Sequence, residues 1–183
     1  MSFAAVTERP APRARTGWSI DVIAPWAQLP LRLIVGYGFM AHGYAKFSRG
    51  PETFAVVLHT LGVPAPALLA WATTAVELVG GLAVLAGAFI PLVSVPMATV
   101  LLTAMFTIHL PYGFFSVKLV EVTTSGTRFG PVGYEVILLY LAGLAALVMR
   151  GAGPLSIDAW RQQRSAKGAG MPVARRRSGL GPL

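Results

Sequence analysis

Residues 29–47, LPLRLIVGYGFMAHGYAKF, place Arg32, His42 and Lys46 inside an otherwise apolar run. Imidazole and ammonium groups donate protons, and a carboxylate set opposite them holds their charge. The acidic and aromatic side chains available for that work lie far along the chain: Glu77, then His109, then Tyr134 and Glu135. Ionisable groups are costly in hydrocarbon and are normally turned toward a bundle interior, where a counter-charge or water holds them. Successive helical residues turn by about 100°, so Arg32, Gly36, Phe39, Gly43 and Lys46 fall on one stripe with His42 at its edge. The spacing therefore predicts a helix whose charged face looks into a bundle and whose Leu31, Leu33, Ile34, Val35, Met40 and Ala41 suit lipid or partner helices.

Four long segments can position these groups. The chain of 183 residues is 55% hydrophobic and 12% charged, with a mean hydropathy of +0.64, which lies outside the usual range of soluble domains. About 20 helical residues cross a hydrocarbon core of roughly 30 Å. Runs of that kind fall near 27–47, 65–87, 92–110 and 132–149. The fold class expected is an all-α integral membrane four-helix bundle with short interfacial helices, multi-pass in the lipid bilayer. Residues 48–64, interrupted by Gly50-Pro51, are too short to cross and read as an amphipathic interfacial helix. Residues 111–131 read as an extramembrane loop. Residues 1–26 read as a disordered basic arm with an interfacial approach, and 161–183 as a basic disordered tail flanking a domain at 27–160. The first long apolar run is too long for the core of a signal peptide and lacks a small-x-small cleavage site, so an uncleaved first span is expected.

The net charge of +8 gathers at the end of the chain, where residues 150–183 hold seven basic residues against Asp158 alone. Cations beside a membrane span follow the positive-inside rule and attraction to anionic lipid, so both termini are expected in the cytoplasm. Nucleic acid is not an expected partner, because no aromatic interleaving or recognition motif accompanies the basic run. Absence of Cys excludes disulfides, thiolate zinc sites and Fe–S clusters.

Depths along these helices suggest which groups meet. Arg32 falls about 7 Å inside the inner boundary and Glu77 about 12 Å from it, a gap an arginine side chain covers. Arg32–Glu77 is the expected structural ion pair. His42, Lys46, His109 and Glu135 fall in the outer third and are expected to form an outward-opening polar pocket, with Lys46–Glu135 as its charge pair and Tyr37, Tyr134 and Tyr140 as tyrosines that could add hydroxyls. Each group also has a purely structural reading: a pair that fixes register, a lysine snorkelling to the headgroups, a histidine capping a helix end before Pro111. No metal site is expected. His42, His109, Glu77 and Glu135 lack a Glu-x-x-His spacing, and Glu77 stands at another depth. A haem between His42 and His109 is likewise not expected.

Taken in order, R-x3-G-x5-H-G-x2-K from Arg32 to Lys46, E-L-x-G-G from Glu77 to Gly81, G-Y-E from Gly133 to Glu135, and G-x-G-x2-S-x-D from Gly151 to Asp158 resemble the DoxX family of small four-span bacterial membrane proteins. The resemblance covers about residues 29–160. It implies a bacterial inner (plasma) membrane protein in a redox setting, related to quinol oxidase subunits and to quinone-linked oxidoreductase complexes, and in most members without an activity of its own. A quinone is the candidate cofactor, its carbonyl meeting a proton from His42, Lys46 or His109 while Glu135 holds the donor's charge. Catalysis by the chain alone is not expected. Soluble redox proteins, oxidase subunits or a second copy in a homodimer are the candidate protein partners. A non-catalytic scaffold for soluble redox proteins and a small-molecule transporter are the competing readings. The last motif also has a local reading, in which Gly151 and Gly153 end a helix and Ser156 or Asp158 caps the next.

Overall fold

The computed structural model describes residues 23–168. A 3-10 turn at Ala24–Ala27, with Pro25 in it, leads into helix α1, Gln28–Arg49. Gly50, at φ 82°, stops α1 and turns the chain into α2, Pro51–Thr60. Proline opens α2 because its missing N–H would lack an intrahelical partner at that position anyway. Helix α3, Pro66–Ala86, also opens on proline and ends at Gly87 in the left-handed region, as helices commonly do at a residue without a Cβ. Helix α4, Ile90–Ala104, contains Pro96 and continues as a π-helical turn, Met105–His109, and a 3-10 turn, Leu110–Tyr112. Strands β1, Leu119–Thr123, and β2, Gly126–Phe129, pair as an antiparallel hairpin. Helices α5, Glu135–Arg150, and α6, Ile157–Gly168, complete the described chain.

Helix α1 lies along α3, and glycines set how closely. A Cβ added to Gly36 would sit 2.8 Å from the carbonyl oxygen of Gly81, and one added to Gly81 would sit 2.8 Å from that of Gly36. One turn pair away, Gly43 faces Glu77 and Leu78 in the same manner. Small residues at the crossing let backbones approach and gain van der Waals contact without any hydrophobic drive. Helix α4 packs on α3 and α5, and α5 returns to α1, closing a four-helix ring. Its tightly packed end holds Val35, Phe39, Val84, Ile90, Met97, Leu144, Leu147 and Ala152.

The stripe expected to face inward on α1 does so: Arg32, Gly36, Phe39 and Gly43 are buried and Lys46 is half-buried. Outward-facing Ile34, Val79, Leu92 and Leu139 are each more than 60% exposed. So broad an apolar exterior belongs against acyl chains. Among the described residues two helices are both long and apolar enough to cross a membrane, Pro66–Ala86 and Ile90–Tyr112. Helix α1 has the length, but its charges lower its hydropathy; α5 has 16 residues and reaches about 24 Å.

Three expectations change. The 111–131 segment contains a β-hairpin, so the chain is mostly helical rather than all-α. The segment 161–183 expected to be disordered is helical in its first part, since α6 runs to Gly168. The third helix starts at Ile90 rather than residue 92, for a reason found in the polar contacts below. Most of the N-terminal arm, and residues 169–183, lie outside the described residues.

Candidate functional site

Two polar clusters hang on α1, at Arg32 and at Lys46, 14 residues and therefore roughly 21 Å apart along the helix.

Arg32 is 2% exposed and bonds to carbonyl oxygens. Its Nε donates to Val84 at 3.2 Å, Nη2 to Leu85 at 2.5 Å, and Nη1 to Ala152, Pro154 and Leu155 at 3.1–3.3 Å. Val84 and Leu85 belong to the last turn of α3, whose carbonyls have no intrahelical partner and carry the negative end of the helix dipole. A planar guanidinium serves several such acceptors at once. The expected Arg32–Glu77 ion pair is therefore absent: Gly36 against Gly81 and Leu85 sets Arg32 level with the end of α3, two turns beyond Glu77.

Asp158 explains where the third helix begins. Its carboxylate accepts from the backbone N–H groups of Phe89 and Ile90 at 3.0 and 3.3 Å, and its own N–H donates to Gly87 at 3.0 Å. That caps α4 from a distance of nearly 70 residues and pins α6 to the α3–α4 turn. Ser156 caps α6 itself, its Oγ accepting from Ala159 N–H at 3.1 Å and donating to Gly153 at 2.7 Å. Of the two residues expected to cap the last helix, Ser156 does so and Asp158 serves the neighbouring one.

At the other cluster Lys46 Nζ lies 2.6 Å from both carboxylate oxygens of Glu77, with side-chain exposures of 20% and 7%. The ammonium also stands 5.0 Å from the centroid of Phe54 on α2. The expected Lys46–Glu135 pair does not form. Glu135 instead accepts from Ser116 N–H at 3.1 Å while Ser116 Oγ accepts from Val136 N–H at 3.2 Å. Gly133 and Tyr134 donate to the carbonyls of Phe115 and Gly113, and the Tyr134 ring stacks edge-on against Phe114. The Gly-Tyr-Glu sequence thus clasps the 113–116 loop to the start of α5, which takes Tyr134 and Glu135 out of the expected pocket.

Beside the Lys46–Glu77 pair lies a cavity of about 750 Å³, bounded by all four long helices and by α2. His42, Lys46, Glu77, His109 and Tyr140 are its polar side chains with chemistry to offer, among threonines of α3 and α4 and a mainly apolar wall. Three of the five residues expected in the pocket, His42, Lys46 and His109, line it. Tyr140, one of the three tyrosines expected to add a hydroxyl, lines it too, whereas Glu77 was not expected there. His109 is partly spoken for, its Nδ1 lying 2.8 Å from the Val132 carbonyl. The π-helical turn that ends in His109 contributes Thr107 and Ile108 to the wall; such insertions frequently occur at functional sites. Among the described residues no group of three or more His, Asp or Glu side chains is placed to hold a metal ion.

Residues 27–110 match the DoxX family model. That match, over 84 of the 183 residues, supports membership of the DoxX family. The matched segment contains α1 to the π-helical turn, and with it Arg32, His42, Lys46, Glu77 and His109, and it stops short of the Gly133–Glu135 and Gly151–Asp158 motifs. The DoxX match and two helices long and apolar enough to cross a membrane both support a membrane location. Neither the curated proteins nor the solved structures contain a match to the chain.

Proposed function

We propose that this protein, DoxX-like over residues 27–110, crosses a bacterial inner membrane four times, keeps both termini in the cytoplasm, and holds a quinone-like molecule between its helices in support of electron transfer by a partner. The observation that carries the reading is the cavity of about 750 Å³ enclosed by all four long helices, apolar except for a wall of ionisable groups. Ligand sites for lipid-soluble molecules have this make-up, with apolar surface for the body and a few polar groups to orient it. Phe39 and Tyr140, whose rings pack edge-on with centroids 5.8 Å apart, offer aromatic surface against which a flat ring would lie. His42 and Lys46 are the donors for its carbonyl, and Glu77 holds the charge of Lys46 in place of the expected Glu135. A quinone would supply the redox chemistry; the chain's own residues bind it, orient it and keep bulk water away.

The test uses the full chain in detergent and a short-tailed ubiquinone analogue. The wild type is expected to unfold at a higher temperature when the analogue is present. Ala104→Trp, which fills the cavity from α4, is expected to unfold at the same temperature with and without it. No rise in the wild type, or the same rise in the filled variant, would end the proposal.

A further inference from the structure

Helix α6 has been accounted for only at its first turn, where it is tied to the α3–α4 junction. That tie fixes its place. Helices α3 and α4 are the two crossing helices, and they meet at Gly87–Phe89, so this turn marks one face of the bilayer. Asp158 bonds to Gly87, Phe89 and Ile90, which holds α6 at that face.

The exposed chemistry of α6 suits such a place. Ile157, Trp160, Arg161 and Arg164 stand at i, i+3, i+4 and i+7 and share one stripe. Trp160 is about half exposed, Leu155 just before the helix is 74% exposed, and Phe89 on the neighbouring turn is about half exposed. The Arg161 guanidinium lies 4.6 Å from the Phe89 ring centroid, and that of Arg164 3.8 Å from the Trp160 ring. Each cation is thus stacked on an aromatic ring at a point where the apolar surface meets the boundary. A cleft of about 410 Å³, lined by Asp158, Arg161, Gln162 and Ser165, opens beside this stripe. Asp158 is already committed to the backbone N–H groups of Phe89 and Ile90, which leaves Arg161 as the cleft's other charged group, beside the Gln162 amide and the Ser165 hydroxyl, which can also donate.

We propose that α6 binds anionic phospholipid headgroups at the membrane face, with Arg161 and Arg164 taking the phosphate and Trp160, Leu155 and Phe89 seated among the upper acyl carbons. Tryptophan favours the headgroup level, guanidinium forks match phosphate oxygens, and stacking on a ring orients the fork in advance. A soluble acidic protein or a nucleic acid would have no use for apolar residues on the same stripe as the cations. The inference depends on α3 and α4 crossing the membrane and is independent of what the cavity binds.

Native mass spectrometry of the full chain in a non-ionic detergent, with equal amounts of a phosphatidylglycerol and a phosphatidylcholine of the same chain length, reads the preference directly. The wild type is expected to retain phosphatidylglycerol over phosphatidylcholine. Arg161→Gln with Arg164→Gln should lower that ratio by roughly fivefold per arginine, with phosphatidylcholine retention unchanged. Arg161→Lys with Arg164→Lys, which keeps the charge, should retain most of the preference, and separates lipid binding from any loss of fold. Neutralising Arg175, Arg176 and Arg177 should matter less than neutralising the α6 pair. Equal retention of both lipids by the wild type, an unchanged ratio in the glutamine variant, or a loss confined to the 175–177 variant would overturn the proposal.

Discussion

Helix α1 carries a buried cation, Arg32, near one end and a half-buried one, Lys46, near the other, and the bundle treats them oppositely. Around Arg32 the chain is closed: five carbonyls from two distant segments converge on one guanidinium, and the core of Val84, Ile90, Met97 and Leu147 packs alongside. Around Lys46 it is open: one carboxylate meets the ammonium, and a cavity lies next to the pair. A buried charge satisfied entirely by backbone acceptors holds structure together, because nothing about it is free to meet a ligand. A charge held by one side chain at a cavity wall keeps an exposed donor face. Two ionisable groups on one stripe thus differ in role because of what surrounds them.

Substitutions should separate the two ends, beginning with the closed one. Arg32→Ala removes the guanidinium donor of the Leu85, Ala152, Pro154 and Leu155 carbonyls, while Val84 keeps its bond from Gly87 N–H, and should cost about 3–5 kcal/mol, read as loss of folded protein from membranes and a lower unfolding midpoint. Arg32→Lys should recover only part of that, since an ammonium cannot span both segments. Full recovery would mean that charge, and not the fork of donors, matters there. At the open end, a double-mutant cycle with Lys46→Met and Glu77→Gln should give a coupling of about 1–2 kcal/mol in unfolding free energy. A coupling near zero would make the pair incidental. Asp158→Ala removes the cap on α4 and should cost about 1 kcal/mol, with Asp158→Asn retaining much of it because the remaining oxygen still accepts. The smallest effect is expected at His42, which is exposed to the cavity: His42→Ala should change stability by no more than about 0.5 kcal/mol while weakening retention of the quinone analogue.

Much of this was legible from residue order. The 100° repeat identified the buried face of α1 because any cation on a long apolar helix must share a side with the residues that pack. The four long helices and the short α2 follow from run length and from Gly50-Pro51. Pairing was misread because depth was counted from helix ends, as if all helices were straight and began at one plane. The glycines held the better ruler: Gly36 against Gly81 and Gly43 against Leu78 fix the α1–α3 register, and that register puts Lys46 within reach of Glu77 and Arg32 beyond it. The role of Arg32 could have been suspected from Gly87 and Gly153, which end and bend the backbone near the same level and leave carbonyls to be served. The hairpin at 119–129 had no comparable signal, since its strands are short and exposed on both faces. Glu135 is a different kind of miss: its carboxylate was read for its charge, and its nearest need was the N–H of Ser116.

The central claim is that the end of the bundle at Lys46 and Glu77 is built to be occupied. Native mass spectrometry of the protein extracted from its own membranes, wild type beside Ala104→Trp, tests it most directly. The expected result is one small lipid-soluble molecule retained by the wild type and absent from the filled variant, with bound phospholipid the same in both. A wild type that carries no such molecule, or a filled variant that carries just as much, would contradict it.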